Sequence, residues 1–413
     1  MKTDSLSNDL GYLVARTPAD IPPSAVLFPL GQDNCRSLRM MLTIVRADVS
    51  FAESLGAATT LLVLCGCRWR EILKTARANG IKQKALVFPL GGSYHEFVAT
   101  PMDLIWKDDA GIVRMSRSRL EKFMAEFGDF FGQFKAGQFQ PDIARYAPSR
   151  RTSKPDAEKR YNEVLRALAD EASLEDFRIA FSAEPLACWK HWARGLYSGL
   201  QYTDYVRIQP DDVVFNCGVH GGSELEFYLA HLGQRGVCVN IDPLGHKYLT
   251  PDVSTAIAQS PATIIEIAAA LHDSNGTLNL PVEASGMAAG NRIDKRIEGA
   301  PLQEFRAVTL DFLAEELSIS RLDHIKMDIE GAEERALNGA INTVTRFRPN
   351  LAISIYHTPD QFLDIPIYLA RSLKGYRFFV RNYHFISNET ILYCIPKERP
   401  FLPRAKPIDV QLS

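Results

Sequence analysis

Residues 213–222, VVFNCGVHGG, place a short apolar run directly before a glycine-rich turn, and the helical pattern that begins at Ser223 follows at once. An apolar run of this kind before a turn and a helix is typical of a buried strand in a parallel sheet. Glycines in the turn lack the Cβ atoms that would keep a bulky ligand from the backbone N–H groups, and the helix N-terminus offers further donors. The stretch therefore predicts an α/β domain with a ligand site beyond the carboxyl end of this strand.

Six more apolar runs follow this strand, and helical stretches separate most of them. We predict strands over 237–242, 263–269, 324–328, 351–356, 376–381 and 390–395. Strands that alternate with helices predict a mostly parallel sheet covered on both faces. A short polar segment around Ser387 and Asn388 joins the last two runs, so we expect an antiparallel hairpin at one edge. The predicted fold is α/β, with the Rossmann-like, seven-stranded, doubly wound sheet and antiparallel edge hairpin of class I methyltransferases.

The residues before this domain predict a second, smaller α/β region. Short strand-like and helical runs alternate over residues 23–102, at 25–30, 34–45, 49–52, 60–64, 69–79 and 84–89. The first turn of this region, residues 31–35, lacks the GxGxxG spacing that lets the backbone approach a pyrophosphate. We therefore expect a degenerate Rossmann-like accessory domain that serves as a scaffold.

The hydrophobic pattern predicts the remaining boundaries. Apolar residues at helical spacing, most clearly in 117–134 and 156–171, predict a helical bridge that contains a basic linker. The predicted segments are an N-terminal arm (1–22), the accessory domain (23–102), the helical bridge (103–209), the methyltransferase-like domain (210–398) and a C-terminal tail (399–413).

Composition and charge exclude several classes of protein. The 413 residues are 46% hydrophobic and 23% charged, as in folded globular proteins rather than disordered chains. With 47 Lys and Arg against 49 Asp and Glu, the net charge of -2 gives no drive toward nucleic acid or anionic lipid. No apolar run reaches the roughly 18 residues that a membrane helix needs, and the seven cysteines form no disulfide framework. We expect a cytoplasmic protein with no nucleic-acid partner and no membrane span.

An acidic residue ends the second predicted strand. Asp242 lies 24 residues after Gly218, where a carboxylate can accept hydrogen bonds from the two hydroxyls of a ribose. The glycine turn and this carboxylate together suit a nucleoside ligand, but they do not distinguish a nicotinamide dinucleotide from S-adenosylmethionine. The alternative is a surface aspartate that caps the turn before Pro243.

Three carboxylates lie within six positions at the end of the fourth predicted strand. They are Asp328, Glu330 and Glu333 in the stretch IKMDIEGAE, residues 325–333. Core packing does not need carboxylates at a strand end, so we predict a ligand or catalytic role for Asp328. Glu330 and Glu333 lie three positions apart, so we expect them to share a helix face, near the substrate or capping the first turn.

A histidine ends the fifth predicted strand. His357 should face the same cleft as Asp328, where a neutral imidazole could take a proton from a hydroxyl nucleophile. The alternative is a structural histidine before the turn at 358–360. His220 and His384 are weaker candidates. These histidines and carboxylates could also bind a metal ion, but the sequence does not show that they converge, and we predict no metal site.

These residues resemble the FkbM-type S-adenosylmethionine-dependent methyltransferases over residues 173–396. The stretches that carry the resemblance are VVFNCGVHGG (213–222), IKMDIEGAEERALNGA (325–340), RPNLAISIYHTPDQFLDIPIYLARSL (348–373), GYRFFVRNYH (375–384) and ETILYCIP (389–396). The resemblance implies S-adenosylmethionine as cofactor and a hydroxyl on a sugar, glycan or polyketide as methyl acceptor. It also implies that the small α/β region is an accessory domain like that of some relatives.

One residue departs from the family pattern. The family usually has an acidic residue where Asn216 stands, and that carboxylate helps to hold the glycine turn and the amino end of the cofactor. Asparagine keeps the hydrogen-bonding ability but loses the charge. The insertion between residues 269 and 308 should lie over the adenine, where Asp273 loosely resembles an adenine-contacting position.

The sequence thus predicts an O-methyltransferase that could form a homo-oligomer. Cofactor contacts are expected from Asn216, Gly218, His220, Gly221, Asp242, Asp273 and Asp328. His357 or Asp328 would act as the base. The substrate, or the residues that contact it, would be contacted by Glu330, Glu333 and His384. The alternative is a non-catalytic glycan-binding or assembly protein in which Asn216 marks a lapsed cofactor site. A nicotinamide-dependent oxidoreductase would need a GxGxxG turn, which neither half of the chain contains.

Overall fold

The structure is a computed structural model that describes most of the chain. The described residues are 12–14, 20–30, 48–64, 69–88, 105–107, 109–110, 113–116, 118, 149, 152–153, 155–182, 187–188, 191, 201–219, 222, 224–281, 302–383, 389–402 and 410–412. None of the helices among these residues is long and apolar enough to cross a lipid bilayer.

The described strands and helices are numbered in chain order. The strands are β1 (Tyr12–Val14), β2 (Val26–Leu30), β3 (Ser50–Phe51), β4 (Thr59–Leu64), β5 (Ala85–Phe88), β6 (Ile105–Lys107), β7 (Val113–Met115), β8 (Val213–Cys217), β9 (Val237–Asp242), β10 (Thr263–Ala268), β11 (Ala270–Leu271), β12 (Gly276–Pro281), β13 (Leu302–Val308), β14 (His324–Met327), β15 (Asn350–Ser354), β16 (Tyr376–Asn382), β17 (Thr390–Pro396) and β18 (Val410–Leu412). The helices are α1 (Trp69–Ala78), α2 (Ala157–Ala167), α3 (Glu171–Ser182), α4 (Leu225–His231), α5 (Pro251–Gln259), α6 (Leu310–Glu316), α7 (Glu333–Asn338), α8 (Ile341–Phe347) and α9 (Gln361–Ser372).

The N-terminal region forms a parallel five-stranded sheet in the order β1-β5-β4-β2-β3. Strands β2 to β5 and helix α1 lie where the sequence predicts strands and a helix, because short apolar runs end there at turn residues. The predicted helix at 34–45 lies outside the described residues. Leu61, Leu73 and Val87 are buried in the core of this sheet.

Several short elements differ from the sequence-based prediction. Strand β1 lies in the predicted N-terminal arm, and β18 in the predicted C-terminal tail pairs with β7. Strands β6 and β7 lie at the start of the predicted helical bridge, where they form an antiparallel pair. The predicted helix at 156–171 is two helices, because the chain leaves α2 at Leu168 to bridge to Phe378 before α3 begins. Strands of two or three residues depend on their pairing partners, which the local pattern does not reveal.

The C-terminal region contains a seven-stranded sheet in the order β10-β9-β8-β14-β15-β17-β16. The five strands from β10 to β15 pair in parallel, and β17 runs antiparallel to both β15 and β16. This order confirms the predicted doubly wound sheet with an edge hairpin. The strand order reverses between β8 and β14, so a ligand crevice is expected beyond the carboxyl ends of these two strands.

The two faces of this sheet have different chemistry. One face carries Phe215, Val239, Ile325 and Met327, which are buried in the main hydrophobic core. The opposite face carries Asn216, because successive side chains of a strand point to opposite sides. On that face a polar row crosses four strands in register, from Lys326 on β14 through Asn216 and Asn240 to Glu266 on β10.

A small sheet that the sequence does not predict follows β10. Strands β11 and β12 flank β13, in parallel and antiparallel pairing respectively. This sheet lies within the predicted insertion between residues 269 and 308, and residues 282–301 of the insertion lie outside the described residues. Only the pairing with β13 makes the two-residue strand β11 identifiable.

The N-terminal sheet is anchored on the helix that follows the glycine turn. The hydroxyl of Tyr12 donates a hydrogen bond to the carbonyl of Ala230 at 3.0 Å, and the guanidinium of Arg70 donates to the carbonyl of Leu229 at 2.7 Å. Both carbonyls belong to the last turns of α4, where the helix leaves acceptors without intrahelical partners. The two regions therefore share a buried polar contact at the C-terminal end of α4.

Candidate active site

The turns after β8, β9 and β14 are joined by hydrogen bonds at one edge of the large sheet. The N–H of Gly218 donates to the carbonyl of Ile241 at 2.8 Å, and the N–H of Asp328 donates to the carbonyl of Cys217 at 3.0 Å. The carboxylate of Asp242 accepts hydrogen bonds from the N–H groups of Val219 at 3.0 Å and Leu244 at 2.8 Å. The structure thus brings Gly218, Asp242 and Asp328 to the edge that the sequence predicts.

Gly218 is required by close packing between two of these turns. Its φ is 78°, a left-handed conformation that side chains disfavour. A Cβ atom at this position would overlap the carbonyl oxygen of Asp328, which is main chain and cannot rotate away. The absence of a side chain therefore lets the turn after β8 pack directly against the turn after β14.

Asn216 lies within the sheet rather than at its rim. The side chain is fully buried, and its Nδ2 donates to Oδ1 of Asn240 at 3.1 Å. Asn240 in turn donates to Glu266 at 2.8 Å. The Oδ1 atom of Asn216 has no hydrogen-bond partner among the described residues. Asn216 is therefore a buried member of the polar row, two positions before the glycine turn.

Lys326 is a site residue that the sequence analysis did not identify. The side chain is 2% exposed, and its ammonium donates to the carbonyl of Gly218 and lies 3.3 Å from Oε1 of Glu224. It also lies 4.9 Å from the ring centroid of Tyr202, within range of a cation–π contact. Burial acts to lower the pKa of Lys326, but the charges of Glu224 and Asp328 outweigh it and raise the pKa. A lysine between the apolar residues Ile325 and Met327 of β14 was the available signal.

His357 lies between the carboxylates that follow β14. Its Nδ1 atom is 2.8 Å from Oε1 of Glu333, and its Nε2 atom is 3.2 Å from Oδ1 of Asp328 and 3.7 Å from Oε2 of Glu330. The imidazole is 3% exposed and Glu333 is fully buried. The structure therefore brings together four of the residues that the sequence singled out.

Glu333 lies on the Nδ1 side of His357 and is itself held by two hydrogen bonds. Its Oε1 accepts a hydrogen bond from the N–H of Ile329 at 2.9 Å, and its Oε2 accepts one from Nε2 of Gln361 at 3.1 Å. The expectation that Glu330 and Glu333 share a helix face is wrong, because α7 begins only at Glu333 and Glu330 has a φ of 56° in the turn before it. Glu333 therefore orients His357, while Glu330 lies nearer the surface.

These contacts fix the protonation states of His357 and Asp328. Burial acts to lower the pKa of His357, but Glu333 and Asp328 outweigh it and raise that pKa well above its usual value. Burial acts to raise the pKa of Asp328, but the contacts with His357 and Lys326 outweigh it and lower that pKa. Both shifts favour an ion pair of an imidazolium at His357 with an ionised Asp328. Neither group is then suited to accept a proton, which is the role that the sequence predicts for them.

Two tyrosines and a glutamate complete the site, and the sequence analysis missed all three. The hydroxyl of Tyr202 donates to Oδ2 of Asp328 at 2.6 Å. The hydroxyl of Tyr356 lies 3.4 Å from Oδ1 of Asp328 and 3.3 Å from Oε2 of Glu389. Gln201 donates to the same oxygen of Glu389 at 2.5 Å. We call Tyr202, Asp328, Tyr356 and Glu389 the carboxylate–tyrosine cluster.

One group of side chains has the spacing of metal ligands. Ligand atoms of Asp328, Glu333 and His357 lie within 4.8 Å of one another, and such atoms suit a divalent cation. In this structure His357 already supplies the positive charge between the carboxylates, and hydrogen bonds from Ile329 and Gln361 occupy Glu333. The three side chains therefore pair with one another as an internal ion pair.

The remaining predicted site residues do not join this cluster in the described part of the chain. His220, Gly221 and His384 lie outside the described residues. Asp273 follows β11, where it lies 2.8 Å from Nδ1 of His272 and 3.4 Å from the guanidinium of Arg335. Its expected adenine contact stays a prediction.

The strand order and the site at the carboxyl ends of β8, β9 and β14 define a class I methyltransferase fold. Residues 216–378 match the family model described as the methyltransferase FkbM domain. Within residues 216–378 the chain thus matches a methyltransferase domain of the FkbM type, as the sequence resemblance implies.

The solved structures that are similar to the chain include two of low sequence identity. The methyltransferase FkbM from Methylobacillus flagellatus KT is 15% identical, with 90% of each chain covered and a TM-score of 0.40. The fibrillarin of Aeropyrum pernix, in complex with natively bound S-adenosyl-L-methionine, is 12% identical, with 50% of this chain and 76% of that chain covered and a TM-score of 0.29. No curated protein matches the chain significantly.

Proposed function

We propose that this methyltransferase transfers the methyl group of S-adenosylmethionine to a hydroxyl of a sugar, a glycan or a polyketide-like compound. The observation that carries the proposal is the meeting of the glycine turn, Asp242 and the carboxylate–tyrosine cluster at one edge of the sheet. Phenol and carboxylate groups can bind a hydroxyl as donor and acceptor. The cluster therefore suits an uncharged polar acceptor beside the cofactor.

In this proposal the turn that begins at Gly218, with His220 and Gly221, binds the amino-acid end of the cofactor. Asp242 binds the ribose. Its carboxylate is already oriented by the N–H groups of Val219 and Leu244. Since each carboxylate oxygen can accept more than one hydrogen bond, Asp242 can also accept those of ribose hydroxyls.

Asn216 acts indirectly in this proposal, because its buried amide supports the strand that ends at the turn. Asp273 is assigned to the adenine side of the cofactor.

When bound, the cofactor supplies a methyl group on a positively charged sulfur. The protein's contribution is to hold the acceptor hydroxyl in line with that methyl group, which can supply much of the rate. Asp328 is fixed by Tyr202 and by His357, so it can accept a hydrogen bond from an acceptor hydroxyl without moving. Glu330, which is 37% exposed beside His357, lies at the mouth of the site and is assigned to the acceptor.

The organisation of the chain supports a cytoplasmic enzyme with an accessory domain. We propose that residues 23–102 form that domain, that residues 103–209 connect it to the catalytic domain at 210–398, and that the acceptor is a small molecule or glycan. The four described cysteines are buried thiols, which suits a reducing compartment. No observation favours the non-catalytic alternative.

Methyl transfer can be tested with S-adenosylmethionine labelled in the methyl group and a panel of monosaccharides, oligosaccharides and polyketide alcohols. We expect label in at least one hydroxyl compound, in a product that resists mild alkali because methyl ethers are stable where methyl esters hydrolyse. Label that appears only in amines, or only in an alkali-labile product, would contradict transfer to a hydroxyl. The Asp242→Ala variant is the cofactor-site control and should transfer no label.

A further inference from the structure

The proposed reaction requires a proton acceptor, and the two bases that the sequence predicts, His357 and Asp328, are not suited to that role. We propose that Glu389 accepts the proton of the acceptor hydroxyl and that the Tyr356 hydroxyl links Glu389 to Asp328. This inference rests on the proposed function, because it assumes that a hydroxyl is methylated. It assigns a catalytic residue on the loop before β17, far in sequence from the other strand-end residues.

The contacts of Tyr356 distinguish the two carboxylates of the cluster. A phenol carries one proton, so the hydroxyl of Tyr356 can donate to Asp328 at 3.4 Å or to Glu389 at 3.3 Å, but not fully to both. Asp328 also receives the hydrogen bond from Tyr202 and the charge of His357. Glu389 receives one further hydrogen bond, from Gln201. Glu389 is therefore the carboxylate with less positive charge around it, and it binds a proton more readily.

The charged and hydrogen-bonding groups around Glu389 come from three parts of the chain. Asp328 follows β14, Tyr356 and His357 follow β15, and Gln201 lies in the segment before β8. Burial and, next, the charge of Asp328 raise the pKa of Glu389 to about 7, while His357 opposes that shift. A carboxyl that exchanges its proton near neutral pH meets the requirement for general base catalysis, which the ionised Asp328 and the protonated His357 do not meet.

Backbone conformation gives an independent indication that this cluster is functional. Tyr202, Glu330 and Glu389 have φ values of 67°, 56° and 57°. They are three of the seven described non-glycine residues with positive φ, and all three lie at this cleft. Left-handed backbone at such residues is disfavoured, and it concentrates at active sites where the surrounding structure enforces it. The strain therefore coincides with the residues that the contacts identify.

The step balances without any further reactant. The hydroxyl oxygen of the acceptor forms a bond to the methyl carbon, and the bond between that carbon and the sulfur breaks. The electron pair of the broken bond stays on the sulfur, which becomes a neutral thioether. The hydroxyl proton goes to the carboxylate of Glu389, which later releases it to water.

The protonation of Glu389 can be measured without knowing the acceptor. Carbon NMR of the full chain labelled at the glutamate side-chain carboxyl should show one resonance that titrates near pH 7 and is missing in Glu389→Gln. In Asp328→Asn the same resonance should titrate at lower pH, because a neighbouring negative charge is removed. A Glu389 resonance that titrates in the ordinary range of exposed glutamates would overturn the proposal.

The catalytic role is tested on the best acceptor of the labelled-methyl panel. We expect kcat/KM of the wild type to rise with pH through an apparent pKa near 7, since the base must be deprotonated. Glu389→Gln should lower kcat by about 100- to 10,000-fold and lose this dependence, while its affinity for S-adenosylhomocysteine stays unchanged.

Glu398→Gln is the matched control, because Glu398 follows the same strand at its opposite end and pairs with Arg348. Its kcat should equal that of the wild type. Full activity of Glu389→Gln would overturn the inference while leaving the proposed function intact. A wild-type protein that does not bind S-adenosylhomocysteine would instead indicate that the proposed function is wrong.

Discussion

Gly218→Ala should abolish binding of S-adenosylhomocysteine and methyl transfer. Alanine at this position has to adopt a φ of 78° and to place its Cβ against the main-chain carbonyl of Asp328. The turns after β8 and β14 must then separate, and separation moves both the glycine turn and the carboxylate–tyrosine cluster. Strain and overlap together should lower the free energy of unfolding by several kcal/mol, at the upper end of what single substitutions do.

Gly80→Ala is the matched control for this experiment. Gly80 follows α1 with a φ of 79°, but a Cβ atom there would meet no atom within 4 Å. Both variants are measured by urea unfolding and by S-adenosylhomocysteine binding. The control should lose about 1 kcal/mol of stability from backbone strain alone and keep full binding. Equal losses of stability and binding in the two variants would mean that the close contact between Gly218 and Asp328 contributes to neither.

His357→Leu should destabilise the protein by about 3 to 5 kcal/mol, because it leaves Glu333 as a buried and uncompensated charge. Glu333 is fully buried beside Nδ1 of His357. The double variant His357→Leu with Glu333→Gln removes both charges and should recover part of the loss. A double variant that is no more stable than His357→Leu would contradict the assignment of an ion pair.

The same ion pair predicts how stability depends on pH. The pKa of His357 is raised in the folded protein, mainly by Glu333 against the effect of burial, while in the unfolded chain it is about 6.5. Between these two values the folded state binds the extra proton, so the free energy of unfolding should fall as pH rises above about 6.5. Urea unfolding of the wild type should show this fall, and above about pH 7, where Glu389 no longer takes up a proton, the fall should be smaller in His357→Leu. If the free energy of unfolding depends on pH in the same way in both proteins, the raised pKa of His357 is contradicted.

The fold of the C-terminal domain could be predicted because its signals are local. Each strand of the large sheet is a short apolar run that ends at turn residues, and the structure places all seven within about two residues of the predicted bounds. Strands β1 and β18 were missed, because two or three residues carry no pattern of their own. Their pairing partners, β5 and β7, are distant in sequence.

The site could be predicted only in part. Asp242, Asp328 and His357 end predicted strands, and the topology of a parallel sheet brings such residues to one edge. Tyr202 reaches the same place from a segment that carries no motif, and Glu389 begins the stretch ETILYCIP, in which nothing marked it as a site residue. The Tyr202 hydroxyl bonds a residue 126 positions away, and no spacing rule describes that contact. The structure changed the predicted role of His357 and Asp328 as bases for the same reason. The pKa of a buried group depends on neighbours that only the fold brings together.

The most direct test of the central claim is calorimetric titration of the full chain with S-adenosylhomocysteine. The account predicts binding with a dissociation constant near or below micromolar, about -8 kcal/mol, that is lost in Asp242→Ala and kept in Asp211→Ala, where the exposed aspartate pairs with Arg321. No heat in the wild type at several temperatures, together with an unchanged melting temperature, would contradict a cofactor site at the glycine turn and Asp242.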